Sequence, residues 1–203
     1  MRNFLIGVAA ATVLAAALPA ATASGYTLGL WKQETVYEYA LLATSKTSTL
    51  EEELNASADA GFRFEDVMGG GTAFGGNEVV AVMSRVGGGE PGRYEYKLLA
   101  TSRTGTMQNE AQEAADAGYR HVGQTVFSSR FGGREVVLIV ERDSEFPPVP
   151  SEVKLLATSR TGTMQRELTE AGEAGYEFVG FTVASTLMGG NELVSIMTRP
   201  LAR

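Results

Sequence analysis

The chain has no cysteine, one histidine and one tryptophan among its 203 residues. Without cysteine there can be no disulfide, no thiolate metal ligand and no cysteine nucleophile. A lone histidine, His121, leaves little room for a Ser–His–Asp triad or for the usual zinc sets. Cations are also few: 17 Lys and Arg stand against 24 Asp and Glu, a formal net charge of −7. A nucleic-acid binder needs a basic patch or stripe, so that class is set aside. Long apolar runs are confined to FLIGVAAATVLAAAL near the N-terminus, which is shorter than the ~20 residues of a spanning helix.

That run has a signal-peptide layout. Arg2 precedes it, Pro19 follows it, and Ala21-Thr22-Ala23 fits the small-residue cleavage rule. The pattern predicts a signal peptide over residues 1–23 and a periplasmic or secreted product, with no transmembrane segment after cleavage. The chain as a whole is 44% hydrophobic, which suits a globular fold.

What is abundant is repetition. LLATSRTGTMQ occurs at Leu98–Gln108 and again, unchanged, at Leu155–Gln165, with the relative LLATSKTSTLE at Leu41–Glu51. Three units align without a gap at a constant step of 57 residues. They are repeat 1 (37–85), repeat 2 (94–142) and repeat 3 (151–199), with linkers 86–93 and 143–150 rich in Gly and Pro. Residues 24–36 form a leader with Trp31, and residues 200–203 a tail.

Each unit reads as strand, helix, strand, strand. YEYALLA alternates with period two, as a strand does. TSTLEEELNASADAG puts Leu50, Leu54 and Ala58 on one helix face, and Gly61, Gly118 and Gly175 suit the left-handed residue after a helix. Two β-rich runs follow, joined at GGN, GGR and GGN as hairpins. The last strand is apolar on both faces, which predicts a central place between the other two and a covered second face. The predicted class is α+β: three tandem β-α-β-β repeats, each a mainly antiparallel three-stranded sheet with one helix. The units are expected to pack into a compact body, with a pseudo-threefold arrangement open to it and separate beads as the alternative.

YEYK at Tyr94–Lys97, EAGYEFVG at Glu173–Gly180 and the arginine closing each unit resemble a family of short bacterial domains of unknown function. Its core reads roughly YEYK…L…LN…G.EGWELV…LKR. The family's Trp after the glycine is Phe62, Tyr119 and Tyr176 here. The resemblance implies the strand–helix–strand–strand unit and carries no catalytic residue.

Candidates for chemistry are modest. His121 is the 57-residue counterpart of Phe64 and Phe178, so it reads as a planar ring in a strand. Glu51, Glu52 and Glu53 read as acids favoured by a helix dipole rather than as a calcium site. Glu38, Glu95 and Glu152, with Glu78, Glu135 and Glu192, would serve a carboxylate-based envelope glycan hydrolase or lyase, the enzyme alternative. GGGTAFGGN lacks the lysine and following helix of a phosphate loop. The recurring apolar tips Phe74, Phe131 and Met188 are expected to fold back onto the core, with a contact surface for a partner as the alternative.

The repeated loop is the best candidate. Thr49 with Glu52 forms a capping box, of which units two and three keep the threonine, Thr106 or Thr163. Capping leaves the cations unexplained. Lys46, Thr47 and Thr49, then Arg103, Thr104 and Thr106, then Arg160, Thr161 and Thr163 combine hydroxyls and a cation at a helix start, an anion-binding combination. The sequence therefore reads as an exported, noncatalytic binding or interaction module that calls for no cofactor. Its partner is a protein, a glycan or a small anionic ligand.

Overall fold

A computed structural model describes residues 35–73, 76–101, 103–128, 134–185 and 191–201. The signal segment, nearly all of the leader, and Phe74, Phe131 and Met188 lie outside them.

The alternating openings become edge strands β1 (Tyr37–Thr44), β4 (Tyr94–Thr101) and β7 (Ser151–Thr158). Helices α1 (Thr47–Asp59), α2 (Thr104–Asp116) and α3 (Thr161–Glu173) follow. The strands after them are β2 (Arg63–Thr72), β5 (Arg120–Ser128) and β8 (Glu177–Ser185). Each unit closes with β3 (Gly76–Val86), β6 (Arg134–Asp143) or β9 (Asn191–Pro200). The three sheets have orders β1-β3-β2, β4-β6-β5 and β7-β9-β8, all antiparallel, so the doubly apolar strand is central as expected. A bulge recurs at the same place in the second strand, at Phe64/Asp66, His121/Gly123 and Phe178/Gly180.

The helix ends are set by different chemistry at the two termini. At the C-terminal end Gly61, Gly118 and Gly175 have φ of 84–88°. Gly61 N–H donates to Ala58 O and Phe62 N–H to Ser57 O, the double closure of a Schellman motif, and both bonds recur in the other repeats. At the N-terminal end the expected capping box does not form. The helices start at Thr47, Thr104 and Thr161, so Thr49 is already inside the first turn, and the N-cap residues Lys46, Arg103 and Arg160 make no side-chain cap. The preceding threonines instead fold the turn: Thr44, Thr101 and Thr158 Oγ1 accept from the N–H of those cations at 3.1–3.3 Å.

From Thr35 onward the chain is one compact unit, and its packing is serial. Helix α1 lies between its own sheet and the next, where Leu50, Leu54 and Ala58 share a core with Tyr94, Tyr96, Val137 and Ile139 of repeat 2. Helix α2 likewise joins Leu138 of its own sheet to Val153, Val194 and Ile196 of repeat 3. Each fully buried Leu or Val stabilises the fold by about 1.5–3 kcal/mol, so these shared helices bind the repeats together.

Polar bonds fix the register of each joint. Asn55 Oδ1 accepts from Tyr96 N–H and its Nδ2 donates to Tyr96 O, both at 2.9 Å, while the Glu51 carboxylate accepts from Leu98 N–H at 2.7 Å. At the second joint Gln112 takes Val153 N–H at 2.8 Å and Gln108 takes Leu155 N–H at 2.7 Å. Helix side chains thereby satisfy the free edges of β4 and β7, groups that would be costly to bury unpaired. Glu51 thus serves a strand edge, and it lies beyond the helix's first turn, so the dipole role expected of it does not apply.

Candidate functional site

Two positions differ among the repeats in a way that shapes the interior. The β3/β6/β9 position next to the closing arginine is Ser84, Glu141 and Thr198, and the position opening β2/β5/β8 is Arg63, Arg120 and Glu177. Glu141 sits on the central strand β6 and is 1% exposed. Arg63 reaches it across the first joint, donating from Nε and Nη2 at 3.2 and 3.0 Å. Arg120 of its own repeat donates at 2.6 Å, and the Tyr96 hydroxyl donates at 3.0 Å. That hydroxyl in turn accepts from Phe64 N–H at 2.9 Å, so every member has a partner.

The electrostatics follow from this geometry. Burial pushes the Glu141 carboxyl up, but the hydrogen bonds from Arg63 and Arg120 outweigh it and hold it below the usual range. Burial raises the Tyr96 phenol well above its ordinary value. A fully neutralised, hydrogen-bonded carboxylate of this kind is a structural group and a poor proton shuttle.

Past Glu141, toward repeat 3, a cleft of about 620 Å³ opens between the second and third repeats. Arg63, Arg120, Glu141 and Asp143 supply its polar lining, Leu138 and Ile196 belong to its apolar wall, and Pro147 and Pro148 of the 143–150 linker close one side. The reason for the cleft lies in the repeat alignment. At the first joint the corresponding space holds Tyr94, Tyr96 and the Glu141 carboxylate, with Arg63 4.5 Å above the Tyr94 ring. At the second joint these residues are Ser151, Val153 and Thr198, all in the lining. Two phenols and a carboxylate have been cut back, and the arginine equivalent to Arg63, Arg120, is left 60% exposed, with Glu141 as its hydrogen-bond acceptor among the described residues.

His121 borders the same cleft. Its Nε2 lies 3.1 Å from the Gln124 amide. The amide orientation that satisfies every partner has Gln124 donating to the ring and accepting from Phe181 and Thr182 N–H at 3.0 Å. Burial pushes the imidazole down to about 4, so it is a neutral ring at physiological pH. Its edge meets Gly180, as the Phe64 ring meets Gly123, where an added Cβ would lie 2.6 Å from Phe64 Cζ.

The loop residues singled out from sequence stand elsewhere. Lys46, Thr47 and Thr49, Arg103, Thr104 and Thr106, and Arg160, Thr161 and Thr163 each gather at the head of their own helix. No hydrogen bond or ion pair among the described residues links one set to another, and the three cations make no ion pair there. Glu38, Glu95 and Glu152 each pair with the closing arginine of their own repeat, Arg85, Arg142 or Arg199. Those guanidiniums lie 4.4, 4.9 and 4.6 Å from the rings of Phe62, Tyr119 and Tyr176, one repeated clamp. Glu78 bonds Thr72. Among the described residues no group of three His, Asp or Glu is placed to hold a metal ion, and no helix is long and apolar enough to cross a membrane.

Sequence inspection missed the Glu141 cluster and the cleft. The readable signal was a glutamate inside the otherwise apolar VVLIVER run, in a column that is serine and threonine in the sister repeats. No family model, curated protein or solved structure matches the chain.

Proposed function

We propose that this chain is an exported, noncatalytic binding module that holds a small aromatic carboxylate in the cleft between its second and third repeats. The observation that carries this is the substitution of Tyr94, Tyr96 and Glu141 by Ser151, Val153 and Thr198 at an otherwise equivalent joint. The molecule fills the first joint with phenol rings and a carboxylate under an arginine. The second joint has the arginine and the apolar walls, and a ligand of the same chemistry complements it. A concave, mostly apolar site with a few convergent polar groups is the usual form of a small-molecule pocket. Export rests on the signal pattern of residues 1–23. The kinship with short bacterial strand–helix–strand–strand domains rests on the YEYK and EAGYEFVG segments.

The test is a thermal-shift series with benzoate, 4-hydroxyphenylacetate and their uncharged amides on the full chain. Carboxylates raise Tm with concentration, as mass action requires, and the amides do not. Arg120→Ala abolishes the shift while Arg103→Ala leaves it intact. An equal response to acid and amide, or one that persists without Arg120, would sink this reading.

A further inference from the structure

A helix covers the outer face of the second sheet and another covers that of the third, each supplied by the preceding repeat. Among the described residues no helix precedes the first sheet to cover it in the same way. Tyr39 on its outer face is 68% exposed, whereas its counterpart Tyr96 is 1% exposed, and Tyr37, Leu41 and Met68 beside it are exposed too. Among the described residues strand β1 pairs with β3 alone, and its other edge lacks the helix side chains that satisfy β4 and β7.

The opposite end of the molecule shows the complementary half. Helix α3 presents Gln165 and Thr169, both exposed, at the positions from which Gln108 and Gln112 grip β7. Phe178 is 58% exposed, whereas its counterpart Phe64 is 7% exposed and seated on Gly123 of the following repeat. Phe181 and Val183 are exposed with it. Thus one end bears the receiving half of a joint and the other end the donating half, and the chain itself makes that joint twice.

We infer that the protein associates head to tail with a second copy of itself, α3 and β8 of one molecule docking on β1 and β2 of the next. The contact is heterologous, so it propagates rather than closing as a two-fold dimer. In the docked pair Gln165 takes Leu41 N–H and Thr169 serves Tyr39, as Gln108 and Gln112 serve Leu155 and Val153. Repeat proteins ordinarily end in polar caps, and this one has apolar residues on both end faces. One residue departs from the internal pattern. Asp66 stands where Gly123 and Gly180 receive the preceding ring, and its carboxylate accepts from Val67 N–H at 2.7 Å. A carboxylate beneath Phe178 makes the intermolecular joint weaker than the internal ones and hence reversible.

The experiment is sedimentation velocity on the full chain over a wide concentration range, with three variants. The wild type shifts to larger species as concentration rises, and Asp66→Gly shifts at several-fold lower concentration. Tyr39→Lys blocks the receiving face and Phe178→Asp the donating face, and each alone stays monomeric. Both residues are exposed, so each variant should keep the parent's thermal transition. An equimolar mixture of the two restores one intact joint and gives dimers with nothing larger. The inference is overturned if wild type and Asp66→Gly both remain monomeric. It is equally overturned if Phe178→Asp alone still dimerises, which would mean a receiving-face-to-receiving-face contact.

Discussion

The Tyr96 hydroxyl donates to Glu141 across 3.0 Å, and the same two positions one repeat later are Val153 and Thr198. One pair fills its joint and the other leaves a cleft. Rebuilding the first joint in the second therefore tests both packing and binding. In Val153→Tyr/Thr198→Glu the cleft is occupied by the protein's own side chains. The expected outcome is loss of the carboxylate-induced thermal shift with the fold retained, read by circular dichroism and thermal shift together.

Glu141 ties stability to acid. Its folded carboxyl is held below the ordinary value, so its contribution is present above the unfolded carboxylate range and lost as pH falls through the folded value. Glu141→Gln is expected to be less stable at neutral pH by about 2 kcal/mol, the scale of hydrogen bonds to a charged group. The gap between variant and parent should narrow as pH drops below 4.5. Urea unfolding at several pH values measures it.

His121 acts over a different window. Its ordinary value is 6.5 and the folded ring is pushed down to about 4 by burial. Between those values the unfolded chain binds a proton that the folded chain refuses, so stability falls as pH falls. The slope is up to about 1.4 kcal/mol per pH unit within that window. His121→Phe, which copies Phe64, should flatten it, and the same urea series shows whether it does.

The C-terminal glycines separate strain from clash. Gly118 and Gly175 share nearly the same φ, 85° and 84°, so alanine at either carries similar backbone strain of about 1–2 kcal/mol. At Gly118 the new Cβ would also meet Pro148 Cβ at 2.4 Å, while at Gly175 it meets only Arg199 Cδ at 3.5 Å. Gly118→Ala is expected to lower Tm clearly more than Gly175→Ala.

The joint bonds make a matched pair of tests. Asn55→Leu leaves Tyr96 N–H and C=O without partners in a packed interface, at a cost of about 1–3 kcal/mol. Thr169→Ala removes the equivalent side chain from the open end and should fall within about 0.5 kcal/mol of the parent. Chemical unfolding of the two variants gives the comparison.

Much of the repeat was legible in the linear chain because local chemistry dictates it. The step of 57, the glycine after each helix and the central doubly apolar strand all rest on residues whose roles are set nearby. The cap was misread because two threonines compete within a few residues. Thr44 takes the N–H of Lys46 first, which advances the helix start to Thr47 and leaves Thr49 inside. Glu51 was misread because its partner, Leu98 N–H, lies 47 residues away. The serial joints had no local signature, and the cleft had only the glutamate in VVLIVER to betray it. They arise from side chains of one repeat meeting strand edges of the next, and from which of three equivalent columns holds the large residue.

The sharing of α1 and α2 between neighbouring sheets makes the order of opening along the chain unequal. Only the middle repeat shares a helix with a neighbour on each side, α1 joining it to repeat 1 and α2 joining it to repeat 3. Its amides are released to solvent only after a neighbour has let go, whereas repeats 1 and 3 can each detach from their outward side. The unfolding of this molecule therefore proceeds as fraying from two ends toward β6, and the strand carrying Glu141 is the last to exchange its protons.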